Sequence, residues 1–173
     1  EEVRDSLLFT GGSIDWGMKG QLMTYDPRQY VSQNNHPYFY GSSRTVYLPV
    51  IRSGIFDVLQ AFDFGDPSVI QGQRSSTVGA AQALFMMNHD LVAKASERLA
   101  KRAAKALDFA ESANQIYAAI LHRKPSAAET RRAVDFAEHA LDQAGGDATK
   151  AKAQAWKSFA QVLFSSNEFM FLD

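Results

Sequence analysis

A nearly uninterrupted apolar run in the middle of the chain is the feature that most constrains how it can fold. The stretch Arg74 to Asn88 has the sequence RSSTVGAAQALFMMN, in which only Gly79 and Gln82 interrupt the run from Val78 onwards. The hydroxyl residues before the run can cap a helix by accepting hydrogen bonds from its free backbone N–H groups. A helix that is apolar on every side has to be surrounded by protein. The sequence therefore predicts a buried helix at the centre of the fold, ending at Asn88.

The second half of the chain has the pattern of four amphipathic helices. Apolar residues recur at helical spacing on one face, and charged residues lie on the other. Asp108 with Glu111, and Ser126 with Glu129, have the spacing of capping boxes, which mark helix starts. Asn88 can cap the first of these helices. The short links between them favour antiparallel neighbours. We expect the helices near residues 89–107, 108–123, 126–144 and 150–164.

The first half of the chain is less regular. A helix end is predicted over residues 1–9, because Gly11 and Gly12 follow it. Ser13 to Ser43 shows no sustained periodicity and is rich in aromatic residues. Thr45 to Val50 could form one short extended segment, which Pro49 would confine to the edge of a sheet. A short helix is expected over residues 53–62.

These patterns together predict an all-α fold, an antiparallel or orthogonal helical bundle around a buried central helix, with at most one short strand. Residues 1–52 are expected to form an irregular aromatic-rich arm, the later part of a longer domain, and residues 53–173 the bundle. A chain of 173 residues, 46% of them hydrophobic, can bury a core, so we expect one structural domain overall. Because the chain starts at Glu1 rather than at a methionine, we also expect it to be a piece of something longer.

Composition and charge argue against several classes of function. A formal net charge of −1 argues against a nucleic-acid partner, which requires a basic face. No apolar run approaches the roughly 18 residues of a membrane span. The absence of cysteine excludes disulfides, thiol catalysis and zinc thiolate sites. The four histidines lack the spacing of metal ligands, so we expect neither a metal site nor a cofactor.

A polar constellation flanking the apolar run is the first candidate site. Arginine grips carboxylates through a bidentate fork, so a pairing of Arg44 or Arg74 with Asp63 is natural. One interpretation makes the cluster a pocket for an anionic ligand. The other makes it a clasp that holds the arm to the central helix, and we favour it because no nucleophile is nearby. The candidate residues are Arg44, Asp63, Arg74 and Gln82, with Arg52 and Asp66 beside them.

An aromatic segment of the arm is the second candidate site. Flat apolar rings flanked by amide groups are what a sugar-binding surface needs. Alternatively, the rings fill a groove on the helices, or they contact an upstream part of a longer protein. The segment contains His36, Tyr38 and Tyr40, which follow Asn34 and Asn35.

Several motifs resemble those of the planctomycete-specific domain of unknown function. They are RTVYLPVIRS (Arg44 to Ser53), LQAFDFGDPS (Leu59 to Ser68), the apolar run itself and the closing VLFSSNEFMFLD. EVRDSLLFTGGSID (Glu2 to Asp15) is similar to the stretch that this family carries upstream. The resemblance implies the C-terminal part of a large exported protein, an extracytoplasmic setting and association with a c-type cytochrome domain. It implies no established reaction and no catalytic residues.

The expected function follows from these candidates and from the resemblance. Our leading hypothesis is a non-catalytic helical packing and interaction module with the aromatic arm as its docking surface. Its partners would be an upstream domain of the same parent protein, a c-type cytochrome domain or a carbohydrate. The alternative is a ligand- or carbohydrate-processing component whose pocket is lined by the arginine and aspartate cluster.

Overall fold

Helices make up nearly all the regular structure of the residues that can be described. The computed structural model describes residues 1–19, 41–50, 55–70, 72, 79–143 and 147–171. These ranges contain no β-strand, so the prediction of an all-α fold is confirmed. The helices are α1 (Glu2–Thr10), a 3-10 turn (Thr45–Tyr47), α2 (Asp57–Ala61), α3 (Ala80–Asn88), α4 (Asp90–Ala103), α5 (Phe109–Leu121), α6 (Ala127–Gln143), α7 (Ala148–Phe164) and α8 (Asn167–Met170).

Backbone contacts divide the chain into two compact units. The first unit comprises Glu1–Phe9 and Ser13–Phe85, and the second comprises Thr10–Gly12 and Met86–Asp173. The boundary that the sequence suggests, between residues 52 and 53, falls outside the described residues, so the division into arm and bundle stays a prediction.

Side-chain caps start the helices of the second unit. Asp108 accepts a hydrogen bond from the backbone N–H of Glu111 at 2.7 Å, as its position in the sequence predicts. Ser126 and Glu129 form the reciprocal bonds of a capping box. At α4 the prediction was wrong, because the capping side chain is His89 rather than Asn88, whose backbone still belongs to α3.

The core of the second unit is built around α7, which packs against α4, α5, α6 and α8. Trp156 of α7 is 0% exposed and meets Phe109 and Phe159 edge-on, with ring centroids 6.2 and 5.6 Å away. The helices packed against α7 also contain fully buried alanines, and such small side chains let helix backbones approach closely. These alanines are Ala103, Ala113, Ala133 and Ala137.

The apolar run does not form a helix enclosed on all sides. Within α3 the side chains of Gln82, Phe85 and Met86 are buried, whereas Leu84 and Met87 are 60% and 59% exposed. The buried positions are spaced i, i+3 and i+4, so α3 buries one face only. Single apolar residues are common on protein surfaces, so a helix made almost entirely of apolar residues does not have to be buried on every side. The hydroxyl residues expected to cap this helix lie outside the described residues.

The first unit combines α1 with short turns. Leu7, Leu48 and Leu59 are buried, and Phe62 meets Phe85 edge-on with ring centroids 5.4 Å apart. The extended segment expected from Thr45 onwards begins instead as a 3-10 turn, because the N–H of Leu48 bonds back to the carbonyl of Thr45 at 3.0 Å.

Candidate functional site

A buried arginine organises the first unit. Arg4, on α1, is only 1% exposed. Its guanidinium donates hydrogen bonds to the carbonyl oxygens of Gly41 at 2.7 Å and Ser43 at 2.8 Å, and to Thr45 Oγ1 at 3.1 Å. Burial lowers the pKa of Arg4, and the neighbouring Asp5 carboxylate opposes that shift. The acceptors for this buried cation come mainly from the backbone of a segment some forty positions along the chain.

The next residue on α1 holds the same segment from its other side. Asp5 Oδ1 accepts hydrogen bonds from the backbone N–H of Thr45 at 2.8 Å and from its hydroxyl at 2.6 Å. Arg4 Nη1 lies 3.5 Å from the same carboxylate oxygen. We call Arg4, Asp5 and residues 41–45 the Arg4 clasp. Because a charge-assisted hydrogen bond is about twice as strong as a neutral one, the Arg4 clasp fixes this irregular segment firmly to α1.

An exposed aromatic surface lies next to the Arg4 clasp. Trp16 is 63% exposed, and Phe9 meets it edge-on with ring centroids 6.0 Å apart. The guanidinium carbon of Arg44 lies 5.7 Å from the centre of the Trp16 ring, which is within cation–π range. We call Phe9, Trp16 and Arg44 the Trp16 platform.

Backbone and charged contacts position the Trp16 platform. The N–H of Asp15 donates to the carbonyl of Ser42 at 2.8 Å, which places the residue before Trp16 beside the segment that carries Arg44. Asp15 Oδ1 accepts from the N–H of Gly17 at 2.8 Å, and Asp15 Oδ2 pairs with Lys19 at 2.6 Å. The hydrogen bond from Lys19 is the main cause of the lowered pKa of Asp15. The turn that presents the indole ring is therefore held on both sides.

The residues predicted from the sequence divide between described and undescribed parts of the chain. Arg44 belongs to the Trp16 platform. Asp63 is half-buried after α2 in the left-handed backbone region, with φ of 53°, and Gln82 is buried on α3. Among the ion pairs of the described residues, none joins Arg44 to Asp63. The remaining candidates, Arg74, His36, Tyr38 and Tyr40, lie outside the described residues.

Sequence reasoning missed the Arg4 clasp and the packing of Phe9 on Trp16. The signal was present in EVRDSLLFTGGSID, where Arg4 lies one helical turn before Leu7 and Leu8 and so on their apolar face. An arginine on the apolar side of a helix needs buried acceptors, but nothing in the local sequence says where they are.

A second charged cluster joins three helices of the second unit. Arg123, just after α5, pairs with Glu129 of α6 at 2.8 Å and with Glu168 of α8, and it lies over the ring of Tyr117. Hydrogen bonds from Arg123 are the main reason that the pKa of Glu129 falls to about 2 and that the pKa of Glu168 is lowered. The cluster is a structural junction, since its charged groups satisfy one another.

Metal-binding clusters and membrane-spanning helices are both absent from the described part of the chain. No group of three histidine, aspartate or glutamate side chains there could hold a metal ion. None of its helices combines the length and the apolar character that crossing a bilayer requires. Within the described residues, the fold and the site thus define a class: an all-α protein with internally paired charged clusters and an exposed aromatic platform.

The chain matches the model of a known protein family. Residues 1–137 match the family model PSD1, described as a protein of unknown function (DUF1553). The match covers most of the chain, so this chain belongs to the PSD1 family. It ends within α6, and the resemblance of the closing VLFSSNEFMFLD lies beyond it. No curated protein and no solved structure shows significant similarity to the chain.

Proposed function

We propose that this chain is a non-catalytic helical packing and interaction module, and that the Trp16 platform is its docking surface. The partner is an upstream domain of the same parent protein, which we take to be an exported, cytochrome-associated protein. The resemblance of the sequence motifs supports that setting. The observation that carries the docking role is the exposure of Trp16, with Phe9 and Arg44 packed around it.

The chemistry of the Trp16 platform suits a protein partner. Tryptophan and arginine are enriched among the few residues that supply most of the binding energy at protein interfaces. Burying apolar surface contributes about 25 cal/mol per Å², so covering two aromatic rings stabilises a complex substantially. Arg44 makes no ion pair within the described residues and can therefore meet a carboxylate of the partner.

Preorganisation is the second argument for docking. The Arg4 clasp fixes the backbone on both sides of Arg44, through Ser43 and Thr45. A surface that is already rigid loses less conformational entropy on binding than a flexible one. The Trp16 platform therefore loses little conformational entropy when a partner covers it.

A carbohydrate-related role is the second candidate. An exposed indole ring is a flat apolar surface on which a sugar ring can stack, and Arg44 can donate hydrogen bonds to sugar hydroxyls. Under this alternative the chain is a ligand- or carbohydrate-processing component, with Arg44, Asp63, Arg74 and Gln82 lining its pocket. We prefer docking, because the charged groups around Arg4 in the first unit and around Arg123 in the second bond to one another rather than facing an open pocket.

Calorimetric titration of the chain with the upstream part of its parent protein, and separately with neutral oligosaccharides, tests the proposal. We expect binding to the upstream part, with Trp16→Ala weakening it at least tenfold, or about 1.4 kcal/mol. Val162→Ala is the matched control, because Val162 is 65% exposed on α7 of the other unit. Binding of oligosaccharides alone would establish the second candidate, and binding of neither would overturn both.

A further inference from the structure

A groove lined by lysines runs between α4 and α7 in the second unit. Its volume is about 270 Å³, close to the lower end of the 300–1,000 Å³ typical of ligand pockets. It therefore has room for a short ligand. The residues that line it are Glu97 and Lys101 of α4, and Lys150, Ala153, Gln154 and Lys157 of α7.

The two helices that form the groove run antiparallel. Gln161, near the end of α7, donates to the carbonyl of Met87, just before α4 begins, while Lys152, near the start of α7, reaches the carbonyl of Ala106 beyond the end of α4. Lys150 and Lys157 are two helical turns apart on one face of α7, or about 10 Å along its axis. The groove thus presents cations at both ends of its α7 wall.

Positive charge exceeds negative charge in and around the groove. Its lining has three lysines and one carboxylate, Glu97, which accepts a hydrogen bond from Lys101 at 2.6 Å, and beside it Asp147 pairs with Lys150 at 3.7 Å. The pKa of Glu97 is lowered mainly by that hydrogen bond, and Lys157 adds to the effect. Arg98 and Lys94 are exposed one turn apart on α4 and extend the basic surface, although Lys94 pairs with Asp90 at 3.4 Å. The whole chain has a net charge of −1, so this concentration of cations is local.

We propose that the α4–α7 groove binds a short acidic oligosaccharide that carries carboxylate or sulfate groups. The lysines pair with its anionic groups. The amide of Gln154 and the carboxylate of Glu97 accept hydrogen bonds from its hydroxyls. Ala153 is the small, partly exposed residue of the lining, and a sugar ring can lie against it. This binding is independent of the Trp16 platform, which belongs to the other unit.

Other polyanions fit the groove less well. Its lining residues include no large apolar side chain that could anchor an acidic peptide, so recognition there rests on charge and hydrogen bonds. The carboxylate of Glu97 repels a continuous run of phosphates, whereas it can accept hydrogen bonds from the hydroxyl groups of a sugar. The combination of cations with hydroxyl acceptors favours an acidic sugar.

The experiment titrates the full chain at 50 mM salt with four probes: tetragalacturonate, a sulfated galactose tetramer, the neutral galactose tetramer and tetraglutamate. We expect at least one acidic sugar to bind with a dissociation constant below about 1 mM, and to bind at least tenfold more weakly at 500 mM salt. The two acidic sugars distinguish a carboxylate ligand from a sulfate ligand. The neutral sugar and tetraglutamate are expected to bind at least tenfold more weakly.

Matched charge changes locate the site. The double substitution Lys150→Glu and Lys157→Glu is expected to weaken binding of the acidic sugar at least tenfold, whereas Lys124→Glu, an exposed lysine outside the groove, changes it less than twofold. If the double variant melts early, the corresponding Gln variants remove the charge without reversing it. Three results would overturn the proposal: no binding of either acidic sugar, equal binding of tetraglutamate, or full binding by folded groove variants.

Discussion

A buried arginine has to satisfy several donors at once, and Arg4 does so with a stretch of chain that has no regular structure of its own. Its acceptors are two backbone carbonyls and one hydroxyl, and Asp5 supplies the opposite charge. An unpaired buried polar group costs about 1–3 kcal/mol, and an unpaired charge costs more. The conformation of residues 41–45 therefore depends on one side chain that is distant in sequence.

Substitution of Arg4 by alanine is expected to destabilise the first unit by about 3 kcal/mol, because it leaves the carbonyls of Gly41 and Ser43 without their donors. Urea unfolding measures the loss, and faster amide hydrogen exchange at Thr45 locates it. Arg131→Ala, at an exposed position on α6, is the control and should change stability by less than about 0.5 kcal/mol. Equal stability of the two variants would contradict the structural role of the Arg4 clasp.

At the scale of elements, caps and junctions set where each helix begins and which helices meet. Glu129 serves both purposes, since it closes the capping box with Ser126 and also pairs with Arg123. Arg123 then reaches Glu168, so that the ends of α5, α6 and α8 share one charged group. The junction depends on ionised carboxylates and is therefore sensitive to pH.

The contribution of this junction to the stability of the protein should be visible in how that stability falls at acidic pH. The pKa of Glu129 falls to about 2 in the folded protein from an ordinary value of 4.5. A depressed folded-state pKa means that the stabilisation is complete above pH 4.5 and is lost as the pH falls towards 2. Glu129→Gln should thus cost about 1 kcal/mol at pH 7, and the difference from the unsubstituted protein should shrink between pH 5 and pH 2.

Thermal melts at intervals between pH 7 and pH 2 provide the measurement. Glu138→Gln, on the exposed face of the same helix, is the matched control and should follow the unsubstituted protein at every pH. A penalty for Glu129→Gln that stays constant down to pH 2 would show that the carboxylate charge contributes nothing.

At the scale of the whole molecule, each unit has its own organising side chain. Arg4 has that role in the first unit, and Trp156 has it in the second, where α7 packs against four other helices. The family match extends over both units, from residue 1 to residue 137. The two tryptophans of the chain differ sharply, since Trp16 is largely exposed and Trp156 is completely buried.

Truncation of Trp156 to alanine is expected to cost about 3–5 kcal/mol, because it opens a large cavity among α4, α5 and α7. Trp156→Phe should cost less, since the indole N–H has no hydrogen-bond partner among the described residues. Val162→Ala, on the exposed side of the same helix, should change stability by less than about 0.5 kcal/mol. Chemical unfolding followed by circular dichroism ranks the variants, and a tolerated alanine at position 156 would disprove this account of the core.

By itself, the sequence determined the helical class and the helix starts at Asp108 and Ser126, because capping and helical periodicity act between residues three or four positions apart. Only the tertiary structure decided which groups meet across long separations: Arg4 with Gly41 and Ser43, and Arg44 with Trp16. The tertiary structure also decided that α7, rather than α3, is the helix surrounded by other helices. Burial depends on the partners that a helix finds in space, and the apolar character of a segment does not specify those partners.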